Sequence, residues 1–93
     1  MIHTTLHDDG KKGCWLAYDD NKEVGLMDVV YDGTDKLIIE HTEVYEGHEG
    51  KGYGKVLVQA AVDFARKKHL KIMPLCLYAK AMFDKTPAYA DVL

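Results

Sequence analysis

Cysteine and proline are scarce in this chain, with two of each among 93 residues, and no apolar run approaches the length a bilayer crossing needs. The two cysteines, Cys14 and Cys76, allow one disulfide at most. No basic-then-apolar leader opens the sequence, so both are expected to stay reduced in a cytoplasmic protein. An excess of positive charge is also missing. The net charge is −3, which argues against nucleic-acid binding as the main activity, because phosphate backbones need a basic surface. Repeats and low-complexity segments are absent. What is present, 47% hydrophobic and 29% charged residues, is an ordinary globular composition, and the length suits one small domain over residues 1–93.

Glycine is unevenly spread. Gly47, Gly50, Gly52 and Gly54 crowd one stretch, between the apolar run Leu37-Ile38-Ile39 and an amphipathic segment that begins at Tyr53. A strand, a glycine-rich turn and a helix start together make an anion site. Missing Cβ atoms let backbone N–H groups converge on a phosphate, and the helix N-terminus adds its dipole.

The rest of the chain frames that stretch. Met1 to Gly10 reads as a flexible tail, in which His3 and His7 complete no metal site. Cys14 to Tyr18, Glu23 to Tyr31 and Lys36 to Tyr45 read as three strands joined by polar turns, an antiparallel meander. In the second of these, Val24 and Leu26 fall on one face and Gly25, Met27, Val29 and Tyr31 on the other. A helix is expected over Tyr53 to Lys68, burying Leu57, Ala60, Ala61, Phe64 and Ala65, with Arg66, Lys67 and Lys68 favourably placed in its last turn. Leu70 to Leu77 reads as a strand parallel to Lys36–Tyr45, given the length of the connection. Pro74 has no N–H, so this strand lies at an edge or splays from its neighbour. A short helix from Tyr78 and a final turn opening at Thr86-Pro87 close the chain. The fold class is α+β.

Two phosphate motifs fail on the loop. A P-loop requires Ser or Thr after Gly-Lys, but Val56 follows Gly54-Lys55; a dinucleotide fingerprint starting at Gly50 meets Lys55 where a glycine belongs. The order of elements instead resembles the Gcn5-related N-acetyltransferases, whose signature Gln/Arg-x-x-Gly-x-Gly/Ala is matched by Glu49-Gly50-Lys51-Gly52-Tyr53-Gly54 except at its first position. Glu40-His41-Thr42-Glu43-Val44, Pro74-Leu75-Cys76 and Pro87 to Leu93 resemble the small acetyltransferase-like subfamily of the YjdJ type. The resemblance implies acetyl-CoA as cosubstrate, its pyrophosphate on the loop amides and its pantetheine between two splayed parallel strands. It assigns cofactor binding to Thr42, Glu43, Val44, Glu49, Gly50, Lys51, Gly52, Tyr53, Gly54 and Lys55. Glu49 places a carboxylate where the family has a neutral or cationic residue, and His48, Lys51 and Lys55 are candidates to offset it.

Acetyl transfer needs a neutral nucleophile, a polarised carbonyl and a path for protons. Cys76, expected at the C-terminal end of its strand, is placed near the thioester by the resemblance. It would either take the acetyl group or protonate the departing thiolate. His41, read as sharing a face with Leu37 and Ile39, is the candidate general base. Glu40 and Glu43 are fallback bases, Tyr78 a candidate hydrogen-bond donor, and Cys14, Trp15 and Phe64 core. The acceptor is expected to be an amine, of a protein or peptide if the cleft is open, and the chain is expected to act as a monomer without a metal. A non-catalytic acetyl-CoA sensor and a protein-interaction module remain as alternative readings.

Overall fold

A computed structural model describes residues 1–93. Strands β1 (Ile2–Asp8), β2 (Lys12–Asp19), β3 (Lys22–Asp32) and β4 (Lys36–Val44) pair in sequence order as an antiparallel meander. Helix α1 (Tyr53–Lys68) then crosses to β5 (Lys71–Pro74), which joins the sheet edge parallel to β4. Helix α2 (Leu77–Asp84) and a 3-10 helix (Pro87–Val92) finish the chain. The architecture is the expected α+β arrangement, with one strand more. Met1 to Gly10 is not a fraying tail: Ile2–Asp8 pairs with β2 from Ile2↔Asp19 to Asp8↔Gly13. Backbone pairing, which its polar side chains do not advertise, holds it in place.

Both helices cover one face of the sheet. Directly opposed residues share a face, so the row Leu6–Trp15–Met27–Thr42 looks toward α1. Trp15 and Met27 are buried there, and the Trp15 ring meets Phe64 edge-on at 5.3 Å. On α1 the buried stripe is Leu57, Val58, Ala61, Val62 and Ala65, while Ala60 and Phe64 are only partly covered. The stripe is thus shifted slightly from the expected one, toward the side that α2 and the 3-10 helix cover.

Two irregularities in the ladder change which way side chains point. Ala17 pairs with Gly25 but Tyr18 with Glu23, leaving Val24 as an extra residue that is buried like its neighbour Gly25. Val24 therefore does not share a face with half-buried Leu26, as strict alternation would have it. Likewise Val29 pairs with Ile39 but Asp28 with His41, which makes Glu40 the extra residue of β4. Beyond Glu40 the parity of β4 is reversed.

The return strand is shorter than expected. It ends at Pro74, and the amides of Leu75 and Cys76 both bond to the Ile39 carbonyl, at 3.0 and 3.1 Å. Leu75 to Leu77 thus leave the sheet, and Cys76 is the N-cap of α2 rather than a strand residue. From Glu40 to Val44, β4 stays paired with β3 on one side but has no strand on the side that β5 has left.

Candidate active site

The reversed parity in β4 sorts the expected site residues onto two sides. Leu37 and Ile39 are buried against the helices. After the bulge, Thr42 and Val44 take that side, while His41 and Glu43 face outward, with His41 Nε2 3.2 Å from Glu43 Oε1. His41 therefore does not share the face of Leu37 and Ile39. An extra residue in a strand leaves no mark on the sequence pattern, and alternation counted through it assigns the wrong side.

The gap beside β4 is bounded by main-chain groups. The Tyr45 amide bonds to the Val24 carbonyl of β3. By the alternation of an antiparallel ladder, Thr42 and Val44 then turn their amides and carbonyls the other way, into the space that β5 has left. Across this space stands Cys76, its Sγ 3.5 Å from Thr42 Oγ1. Burial alone would raise the Cys76 thiol, but the Thr42 hydroxyl and the amides of Ala79, Tyr78 and Thr42 outweigh it and hold it below the ordinary thiol value. The α2 amides that do this belong to its first turn, which has no side-chain cap.

At the other end of the gap the glycine loop enters α1. Gly47, Gly50 and Gly52 all have positive φ, from 78° to 87°, and a Cβ on any of them would meet nothing within 4 Å. Their requirement for glycine is conformational, not steric. Gly52 is the N-cap of α1 and supplies no side chain; the first intrahelical bond runs from the Val56 amide to its carbonyl. The amides of Tyr53, Gly54 and Lys55 consequently have no carbonyl one turn earlier to bond. They are donors gathered at the positive end of a helix dipole.

A cavity of about 390 Å³ lies over these amides, lined by Thr42 and Val44 of β4, His48 and Glu49 of the loop, and Tyr78 of α2. Tyr78 is seated on Gly54, where a Cβ would come within 2.5 Å of its hydroxyl. Burial, then the neighbouring Cys76, pushes the Tyr78 phenol up. Glu49 does not point freely at the helix head, since its carboxylate accepts the Gly47 amide at 2.8 Å. Of the three basic candidates only His48 lines the cavity. Lys55 lies on the opposite flank of α1 with Ile2, His3 and Thr4, and Lys51 acts on Asp19. A larger hollow of about 570 Å³ on the outer face includes Asp8, Asp9, Asp28 and Glu40 in its lining, a poor setting for phosphates. Cys14 borders it, half-buried and not in the core as read from the sequence; burial and then Asp28 push its thiol up.

The model of the GCN5-related N-acetyl-transferase family matches residues 7–92. The chain belongs to the GCN5-related N-acetyltransferases. Among solved structures, a GCN5-like putative N-acetyltransferase from Staphylococcus aureus is 30% identical with a TM-score of 0.71, over 95% of this chain and 85% of that one. A Bacillus subtilis acetyltransferase in complex with CoA superposes with a TM-score of 0.73 at 16% identity, covering 91% of this chain and 74% of that one, and so shares the fold. Protein NATD1 of Danio rerio is 26% identical over 81 residues, 87% of this chain and 74% of that protein. Against the Homo sapiens form the match spans 54% of that protein's length.

The sequence missed one residue of this region altogether. Asp19, the last residue of β2, accepts a hydrogen bond from the Tyr53 hydroxyl. The two are 34 residues apart and nothing in the spacing links them.

Proposed function

We propose that this protein is an acetyl-CoA-dependent N-acetyltransferase in which Cys76 carries the acetyl group between cosubstrate and amine. The observation that carries the reading is a cavity over the head of α1 whose wall includes Thr42, the residue that Cys76 contacts. At one end are three unbonded amides at the glycine-capped head of α1; at the other Cys76 meets Thr42, on a stretch of β4 that pairs with β3 but has no partner on its β5 side. The cavity fits the group the family implies: donors for a pyrophosphate at Tyr53, Gly54 and Lys55, and a strand edge at Thr42 and Val44 that an amide-bearing pantetheine arm would pair with. The Bacillus subtilis neighbour in complex with CoA supports the same assignment.

Acetyl-CoA supplies an acetyl group already activated as a thioester. Cys76, held toward the thiolate by Thr42 and the first turn of α2, attacks that carbonyl and keeps the acetyl group. Coenzyme A leaves as its thiolate and takes up from water the proton that Cys76 released on becoming a thiolate. The acceptor amine gives up its proton to water, with His41, bonded to Glu43 on the other face of β4, as the nearest base to receive it through solvent. Attack on the acetyl-cysteine forms the amide and returns the thiolate. The outer face is open, so the acceptor is an amine of a protein or peptide rather than an enclosed small molecule. The chain acts as a monomer in the cytoplasm.

An amide-resolved NMR titration with acetyl-CoA tests the reading. Shifts are expected at Gly50 to Lys55 and at Thr42 to Val44, with a gain of one acetyl group on intact mass that Cys76→Ser abolishes. No shifts at millimolar acetyl-CoA would sink the transferase reading. Binding without any acetylated species would sink the covalent step alone.

A further inference from the structure

The glycine loop gives α1 its anion-binding amides but does little to fix them. Three of its residues sit at positive φ with open space around them, and the N-cap has no side chain. The one side chain of the first turn that is tied down is Tyr53. Its ring is buried, 6.3 Å from that of His48, and its hydroxyl donates to Asp19 Oδ2. Asp19 is itself fixed. It ends β2, pairs with both Ile2 and Lys22, and precedes a tight turn in which Asp20 and Asn21 are both left-handed, at φ 51° and 73°.

We infer that Asp19 is a positioning residue for the cosubstrate: through Tyr53 it anchors the first turn of α1 to the β2–β3 hairpin and so aims the amides of Tyr53, Gly54 and Lys55. This rests on the transferase reading above, and assigns a role within its site to a residue 34 positions away from Tyr53. Asp19 has two effects of opposite sign. As an acceptor it orders the turn; as a carboxylate one hydrogen bond from a residue that lines the cavity it repels phosphate, an effect that Lys51 and the chain's N-terminus offset in part. Its carboxyl is held below the usual range, by the Tyr53 hydroxyl first, so the charge is present at neutral pH. Substitutions separate the two. Tyr53→Phe removes the bond and keeps the charge, Asp19→Asn keeps an acceptor and drops the charge, and Asp19→Ala removes both.

Coenzyme A binding by calorimetry, with KM and kcat for acetyl-CoA, reads the effect on the full chain. Tyr53→Phe is expected to weaken binding about 5- to 20-fold, a part of the worth of a hydrogen bond to a charged group. Asp19→Ala should weaken it less, because repulsion is relieved, and Asp19→Asn should bind at least as tightly as the wild type. The losses should fall on KM, with kcat within about twofold, since the chemistry is at Cys76. Amide exchange at Val56, whose N–H makes the first bond of α1, gives a readout without ligand. It should quicken in Tyr53→Phe and Asp19→Ala but not in Asp19→Asn. Equal affinity of Tyr53→Phe and wild type, or a loss in Asp19→Asn as large as in Asp19→Ala, would overturn the inference. A wild-type chain that binds no coenzyme A would overturn the transferase reading and the anion-site role together. Unchanged Val56 exchange in Tyr53→Phe would refute the anchoring itself, whatever the wild type binds.

Discussion

Gly54→Ala tests the seat of Tyr78 more sharply than any removal of a contact. Gly54 is within α1 and has no positive φ, so alanine fits its backbone, and in an ordinary helix the change stabilises by up to about 1 kcal/mol. Here the new Cβ would stand 2.5, 2.6 and 2.9 Å from the Oη, Cζ and Cε2 atoms of Tyr78. Carbon contacts settle near about 3.5–4.0 Å, so the ring must retreat by roughly 1 Å. Overpacking costs about 1–3 kcal/mol, and the lower half, roughly 1.5–2 kcal/mol, applies because Tyr78 is 42% exposed and free to swing outward. The two effects leave Gly54→Ala destabilised by about 0.5–1 kcal/mol. Once Tyr78→Ala has emptied the seat, the same substitution should stabilise by up to about 1 kcal/mol. The sign changes, and a double-mutant cycle in urea should return a coupling of about 1–2 kcal/mol. Additivity within about 0.3 kcal/mol would mean that Tyr78 does not rest on Gly54, and the cavity wall described above would be wrong.

Three further outcomes are expected. Gly52→Ala, at φ 84° with nothing near its Cβ, should lose about 1–2 kcal/mol in urea denaturation, and Gly52→Asn, which tolerates the left-handed region, clearly less. The cysteines should part company in alkylation: Cys76, held below the ordinary thiol value, reacts with iodoacetamide at lower pH than Cys14, which is pushed up by burial and Asp28, and mass mapping after a pH series would show equal profiles if this is wrong. Tyr31 has its phenol pushed up to about 12 by burial and by its bond to Asp8. Its raised folded pKa means that its stabilisation is whole below the unfolded value near 10 and is lost as pH rises toward 12. Thermal unfolding should therefore fall through that window, less steeply in Tyr31→Phe, and parallel curves for the two proteins would contradict it.

Much of the molecule was legible because it depends on neighbours in the chain. Helix α1 shows in its periodic apolar residues and its basic last turn, the loop in its glycines, and the meander in the polar turns between its strands. The departure of the chain from β5 shows in Pro74, whose missing N–H limits pairing wherever it is placed. These are properties of short segments, set by φ preference, side-chain period and hydrogen-bonding capacity. Strand β1 escaped notice because its stability comes from pairing with β2 rather than from its own composition. The same reason explains the errors over Val24 and His41. A bulge is decided by how two strands register across the sheet, and it moved His41 and Glu43 to the outer face while bringing Thr42 to Cys76. The Thr42 hydroxyl on Cys76, the seat of Tyr78 on Gly54 and the hold of Asp19 on Tyr53 are contacts between segments far apart in the chain. Sequence alone determined that a helix would start at a glycine loop ready for an anion; only the tertiary structure decided which side chains face that loop, because packing and register, not local preference, choose the neighbours.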